Sequence, residues 1–141
     1  MGRGSSKAGG TGGGKLQAIA VNPSWAYQPD DATDPNDIVK NPIPFVGEGE
    51  DWRIGELLED GTIQSGYIAD YTIDISKVKT LQPFVLRSGI QNYQRFDNND
   101  KPYVAELNGE YYLLDGNHRM AIAKLNGAKT MNVILSRRKE K

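Results

Sequence analysis

Cysteine is absent from the 141 residues and histidine occurs once, at His118. No disulfide, thiol nucleophile or zinc site built from several Cys and His ligands can be assembled from such a chain. Neither sign of charge is in excess: 17 Lys and Arg stand against 18 Asp and Glu, a net charge of −1. The whole molecule therefore exerts no pull toward nucleic acid or anionic membrane, and any such affinity has to come from a local patch. Apolar runs are short. None approaches the roughly 18 residues of a membrane-spanning helix, and the first residues lack the apolar stretch of a secretory signal. These absences predict a soluble, cytoplasmic protein with no membrane partner. At 38% hydrophobic and 25% charged residues, the chain suits one core of ordinary size.

What is present falls into zones. Residues 1–15, "MGRGSSKAGGTGGGK", hold seven glycines, two serines and only basic charges. Such a segment cannot bury enough apolar surface to offset its conformational entropy, so it reads as a disordered Gly-rich basic arm, a place for a DNA or protein partner to dock. A phosphate loop is not expected there, because G-x-x-x-x-G-K-[ST] needs Ser or Thr where Leu16 follows Lys15. Met1-Gly2 with Ser6 does fit the short N-myristoylation pattern M-G-x-x-x-[ST]. Next, "LQAIAV" reads as a strand closed by the turn signal Asn22-Pro23. Residues 22–50 carry Pro23, Pro29, Pro35, Pro42 and Pro44 among Asp30, Asp31, Asp34 and Asp37, which predicts a long loop. Those acids lack the D-x-[DN]-x-[DN]-G spacing of a calcium loop and read as solvated. Residues 51–60, "DWRIGELLED", predict a short helix with Trp52 and Leu57 or Leu58 turned inward and a stop at Asp60-Gly61.

Alternation through Tyr71, Ile73 and Ile75 predicts a strand with one buried face. "SKVKTLQPFV" then leads into "RSGIQNYQRFDNNDK", read as a helical turn followed by a loop. "PYVAEL" and "EYYLLD", joined by Asn108-Gly109, carry the strongest short-range hairpin signal in the chain. The second of these strands ends at Asp115. A helix through "RMAIAKLN", a stop at Gly127 and a final strand "TMNVIL" complete the pattern, and "SRRKEK" reads as a solvated tail.

The stretch Asp115-Gly116-Asn117-His118-Arg119 is where chemistry is expected. A strand that ends in Asp-Gly and turns at once into a helix aims free backbone N–H groups, and the positive end of the helix dipole, at one spot; that is an anion site. Gly116 permits the sharp turn and a close ligand approach. Arg119 can hold a phosphate with two bonds, and His118 can donate a bond or move a proton near neutral pH. Asp115 would orient one of these or ligate a metal. The alternative reading is structural: Asp and Asn are common helix caps, Gly is a common turn residue, and a lone His is often a satisfied packing residue.

Strand, Asp-Gly-x-His-Arg, Ala-rich helix, Leu-x-Gly, strand: this order resembles the ParB/sulfiredoxin superfamily. The matching residues are Leu113 through Arg119, then Ala121, Ala123, Lys124, Leu125 and Gly127, with the strand Met131 to Leu135. "TIDISKVKTLQPFV" and "KPYVAELNGEYYLLDG" resemble the family's opening strand, its L-x-P segment and its hairpin. Nothing matches residues 1–69. The resemblance implies an α+β fold, a small mixed β-sheet with packed short helices. It divides the chain into the arm 1–15, an N-terminal extension 16–69 packed on the core, the ParB/sulfiredoxin-like domain 70–136 and a charged tail 137–141.

Within that superfamily, sulfiredoxins place Cys before His-Arg where this chain has Asn117, so sulfiredoxin chemistry is not expected. Partition proteins carry a helix-turn-helix domain behind this fold, and a full partition protein is not expected here. The free-serine kinases share a D-G-H-H-R box and use a catalytic glutamate near L-x-P. Gln82 stands there, and an amide cannot accept the proton. The likeness is greatest to the short ParB-like proteins often labelled nucleases and often encoded by phages. What it implies is a nucleotide- or phosphate-binding protein. Gly116, Asn117, His118, Arg119 and Gln82 would contact the ligand. His118 and Asp115 would be the catalytic pair of a phosphoester hydrolase (nuclease or NTPase), and Asp115 could hold a divalent Mg or Mn ion. The alternatives are a non-catalytic binding or assembly module, or a small-molecule kinase relative.

Overall fold

The computed structural model describes residues 33–93 and 101–141. The expected arm 1–15, the strand at 16–21 and the loop after Tyr93 lie outside or largely outside these residues. The described chain is mixed α+β, with a five-stranded mixed sheet, a two-stranded sheet and three α-helices. No helix among the described residues is long and apolar enough to cross a membrane.

The hairpin at Asn108-Gly109 forms as its turn chemistry dictates. β5 (Tyr103–Leu107) and β6 (Glu110–Asp115) are antiparallel, with Leu107 opposite Glu110. Asn108 and Gly109 take φ of 55° and 83°, the double positive φ that this residue pair tolerates and that matches strand twist. β7 (Thr130–Glu140) lies on the other side of β5 and parallel to it. β2 (Thr62–Asp74) pairs antiparallel with β7, and the short β3 (Val78–Thr80) runs parallel to β6. The alternation expected at Tyr71, Ile73 and Ile75 holds: Ile73 and Ile75 are buried and Tyr71 packs at the margin of the same cluster.

Period-2 alternation gives the large sheet two apolar faces. On one, Ile73, Val78, Val104, Leu113, Val133 and Leu135 pack with Ile43, Ile75 and Met120. On the other, Ala105 and Leu107 meet Leu81 and the helix α1 (Glu50–Asp60) through Ile54 and Leu58. α3 (Asn117–Leu125) serves both sheets: Met120 faces the large one, while Ala121 and Leu125 join Val39 and Val85 of the small sheet and Ile90 of α2 (Arg87–Tyr93).

Three expectations are corrected. Trp52 is 49% exposed, not turned inward. The buried positions of α1 are Asp51, Ile54, Gly55 and Leu58, one helical face, and Trp52 lies about 100° away from its neighbour Asp51 around the axis. The loop expected over 22–50 contains β1 (Ile38–Lys40), which pairs with β4 (Phe84–Leu86). The tail "SRRKEK" is not a free end: β7 continues to Glu140, with Lys139 opposite Ile63 and Glu140 opposite Thr62. Its side chains stay mostly outside while its backbone completes the ladder, which is how a charged sequence can be a strand. β2 accordingly begins at Thr62, and Val39, Ile43, Ile54 and Leu58 belong to the core. The extension set at 16–69 thus contributes its described part to the same fold as the residues after it.

Candidate anion site at the start of α3

β6 ends at Asp115 and α3 begins at Asn117, so one residue makes the turn. Gly116 takes φ 93° and ψ 29°, a left-handed conformation that an L side chain adopts at a cost. A second reason for glycine is space: a Cβ there would lie 2.7 Å from Pro102 Cα. The helix start has no side-chain cap. Its first backbone bond runs from Met120 N–H to Gly116 O at 3.0 Å, and the N–H groups ahead of it make the positive end of the dipole. Arg119 sits in that first turn, partly buried, with Nη2 fully enclosed. Asp115 is exposed.

Asn117 points the other way, into the protein. It is 7% exposed, and its Oδ1 accepts from Asn41 Nδ2 at 2.8 Å and from Thr80 Oγ1. Asn41 Nδ2 also donates to Gln82 O at 3.1 Å, and Asn41 Oδ1 accepts from Ile43 N–H at 3.0 Å. Thr80 Oγ1 accepts from Gln82 N–H at 3.0 Å, and the Gln82 amide donates Nε2–H to Phe84 O at 2.7 Å. A buried polar network with this many partners fixes geometry, because each member lost leaves another unsatisfied. Asn117 and Gln82 were both expected at the ligand; the Asn117 side chain instead ties α3 to Asn41 and Thr80, and the Gln82 side chain bonds the nearby Phe84 carbonyl.

His118 is held by the small sheet. Its Nε2 accepts the Leu86 N–H at 2.9 Å, which places the ring proton on Nδ1 in the neutral form. The ring packs so close to α2 that a Cβ on Gly89 would come within 2.6 Å of His118 Cδ2. Burial pushes the imidazole below its ordinary range, against a weaker upward pull from Asp37. Asp37 in turn accepts from Ser88 N–H at 2.8 Å and Ser88 Oγ at 2.6 Å.

The structure therefore brings Asp115, Gly116, Asn117, His118 and Arg119 to one helix start, with Gln82 linked through Thr80 and Asn41. It does not place Asp115 in a donor set: among the described residues no group of three or more His, Asp or Glu is gathered for a metal ion. Asp115 stands there as a single exposed carboxylate. Sequence reasoning missed Asn41, Thr80, Leu86, Gly89 and Asp37. Their partners lie 76, 37 and 32 residues away for Asn41–Asn117, Thr80–Asn117 and Leu86–His118. One signal was available: Asn41 precedes Pro42, and a polar amide between apolar Val39 and Ile43 is an unusual choice unless it is hydrogen-bonded inside.

No protein-family model, no curated protein and no solved structure matches this chain.

Proposed function

We propose that this protein is a phosphate-binding module of ParB/sulfiredoxin-like type, with a nucleotide or other phosphate ester bound at the start of α3. The observation that carries the reading is the uncapped helix start behind a left-handed Gly116, with Arg119 in its first turn. Oriented N–H groups and a guanidinium at one point are the elements of phosphate recognition. Its supports are rigid: Asn117 is locked from below and His118 from the side.

The same contacts favour binding over catalysis. His118 already uses its Nε2 lone pair on Leu86 N–H, and burial disfavours the charged ring, so the group expected as acid/base spends the atom a general base would need. Gln82 offers an amide where a kinase of the resembling type has its base, and that amide is buried and engaged with Phe84 O.

Calorimetric titration with inorganic phosphate and with nucleoside mono-, di- and triphosphates tests the reading. Saturable binding is expected, and Arg119→Ala should weaken it by about 1.5–3 kcal/mol, the scale of a charge-assisted hydrogen bond. Because Arg119 is partly buried, the variant's thermal midpoint is measured alongside, and Arg119→Lys separates charge from fork geometry. Affinity unchanged in a folded Arg119→Ala retires the site. Turnover of nucleotides or DNA by wild type with added magnesium or manganese, lost in His118→Ala, would replace the binding reading with the phosphoester hydrolase.

A further inference from the structure

β4 is the second strand of a two-stranded sheet. One edge pairs with β1, with Ile38 opposite Leu86 and Lys40 opposite Phe84. On its last residue, the Leu86 N–H meets no third strand among the described residues and donates to the imidazole of His118, at 2.9 Å. α2 begins at the very next residue, Arg87. A side chain from the first turn of α3 thus receives a backbone bond from the junction between β4 and α2, and the contact is tight enough that Gly89 has no room for a Cβ beside the ring.

This bond has a property that a backbone carbonyl in the same place would not have: its acceptor can be titrated away. A neutral imidazole has one lone pair, here on Nε2, while an imidazolium has two N–H groups and no acceptor. Asp37, from the turn before β1, is the charged group that acts on the ring; Arg87 follows Leu86 at the head of α2, and Asp115 and Arg119 lie in the ring's own segment. Asp37 already holds Ser88 of α2 through both carboxylate oxygens. An imidazolium that lets go of Leu86 therefore meets an attractive group beside it, and that group belongs to the same α2 contact.

We propose that His118 is a pH-sensitive latch between α3 and the β4–α2 junction. Neutral, it seats Leu86 and α2 against the start of α3. Protonated, it presents N–H to N–H at Leu86, the bond is lost, and the ring turns toward Asp37, loosening α2 from α3. The downward displacement of the His118 titration by burial agrees with this, since the closed latch requires the neutral ring. The latch sets how firmly the small sheet covers α3, whatever the helix start binds.

The experiment is a proton and nitrogen NMR titration of the full chain from pH 7.5 toward acid, following the His118 ring, the Leu86 amide and amide exchange in α2. The ring should titrate below about 6.5, the ordinary histidine value. The Leu86 amide should move with the same midpoint. After correction for the intrinsic pH dependence of exchange, Leu86 and the α2 amides should exchange about tenfold faster below the midpoint, as a local opening would produce. His118→Gln supplies an oxygen that accepts at every pH, so its Leu86 amide should not respond across the same range. A Leu86 amide that keeps its shift and protection while the ring titrates overturns the proposal. So does a ring that remains neutral down to the acid unfolding transition, or a glutamine variant that keeps the wild-type pH response. Should that variant fail to fold, the wild-type titration decides by itself.

Discussion

Gly116 carries two independent constraints, a φ of 93° and a Cβ position 2.7 Å from the Pro102 backbone. The first costs an alanine about 1–2 kcal/mol, and the second forces either the turn or β5 to shift. Gly116→Ala is accordingly expected to lower stability by about 2–4 kcal/mol, measurable by urea unfolding. A loss under about half a kcal/mol would mean that the turn is free to rearrange. The neighbouring Asn117 shows why residue type and role can separate. Asn at a helix start suggests a cap facing solvent, yet here the carboxamide collects two donors inside the protein. His118 carries a further prediction, with its sign set by burial. Its folded pKa is lowered, so the unfolded chain binds the proton more readily. Its contribution to stability is full above the unfolded value of about 6.5 and declines as the pH falls below it. Chemical unfolding of wild type and His118→Gln should diverge in that window, with wild type losing stability more steeply toward acid. Parallel curves would mean that the imidazole titrates alike in both states.

At the scale of elements, the chain was most legible where the signal is local. Asn108-Gly109 specified a hairpin, and the apolar spacing from Met120 to Leu125 with Gly127 behind it specified α3 and its end. The Schellman-like closure at Asn126 and Gly127 follows from that glycine at φ 87°. β1 and β4 were not legible, because each is three residues long and becomes a strand only through the other. Proline on either side of Ile38–Lys40 reads as loop, correctly for its flanks. The site was legible as a place, a strand-to-helix turn with Arg119 in it, but its supports were not, since they come from β1, β3 and β4 at long separations. β7 was legible only to Leu135. Beyond it the charges pointed to solvent, and the side chains obey while the backbone pairs with Thr62 to Gly66. That difference can be measured. Ending the chain after Ser136 should destabilise it by about 1–3 kcal/mol through lost ladder bonds and the lost Arg137–Glu106 contact, and amides of residues 62–66 should lose protection. A truncation with unchanged thermal midpoint and protected residues 62–66 would restore the solvated tail.

For the whole molecule, the arrangement turns on α3. One face of it puts Met120 into the core of the five-stranded sheet; another puts Ala121 and Leu125 among Val39, Val85 and Ile90. Among the described residues the small sheet's buried cluster is completed by α3 and by Ile90 of α2, and a two-stranded sheet is at best marginal on its own. The two sheets should therefore unfold together, linked by one helix whose first turn is also the proposed anion site. Leu125→Ala tests this at a position remote from that turn. Leu125 is 6% exposed, and truncating a buried leucine costs about 2–5 kcal/mol in transfer and cavity terms. Because the loss is felt by a shared helix, hydrogen exchange should rise by a similar factor in β1, β4 and α2 and in the central strands β5 and β7, with one thermal transition retained. If the effect is confined to β1, β4 and α2, the small sheet is a separate unit that opens without the large one. Phosphate affinity of a folded Leu125→Ala would then stay at the wild-type value only if the helix start is held by Asn41 and Thr80 alone, which makes the same variant a measure of how much of the site's rigidity comes from the polar network and how much from the core beneath it.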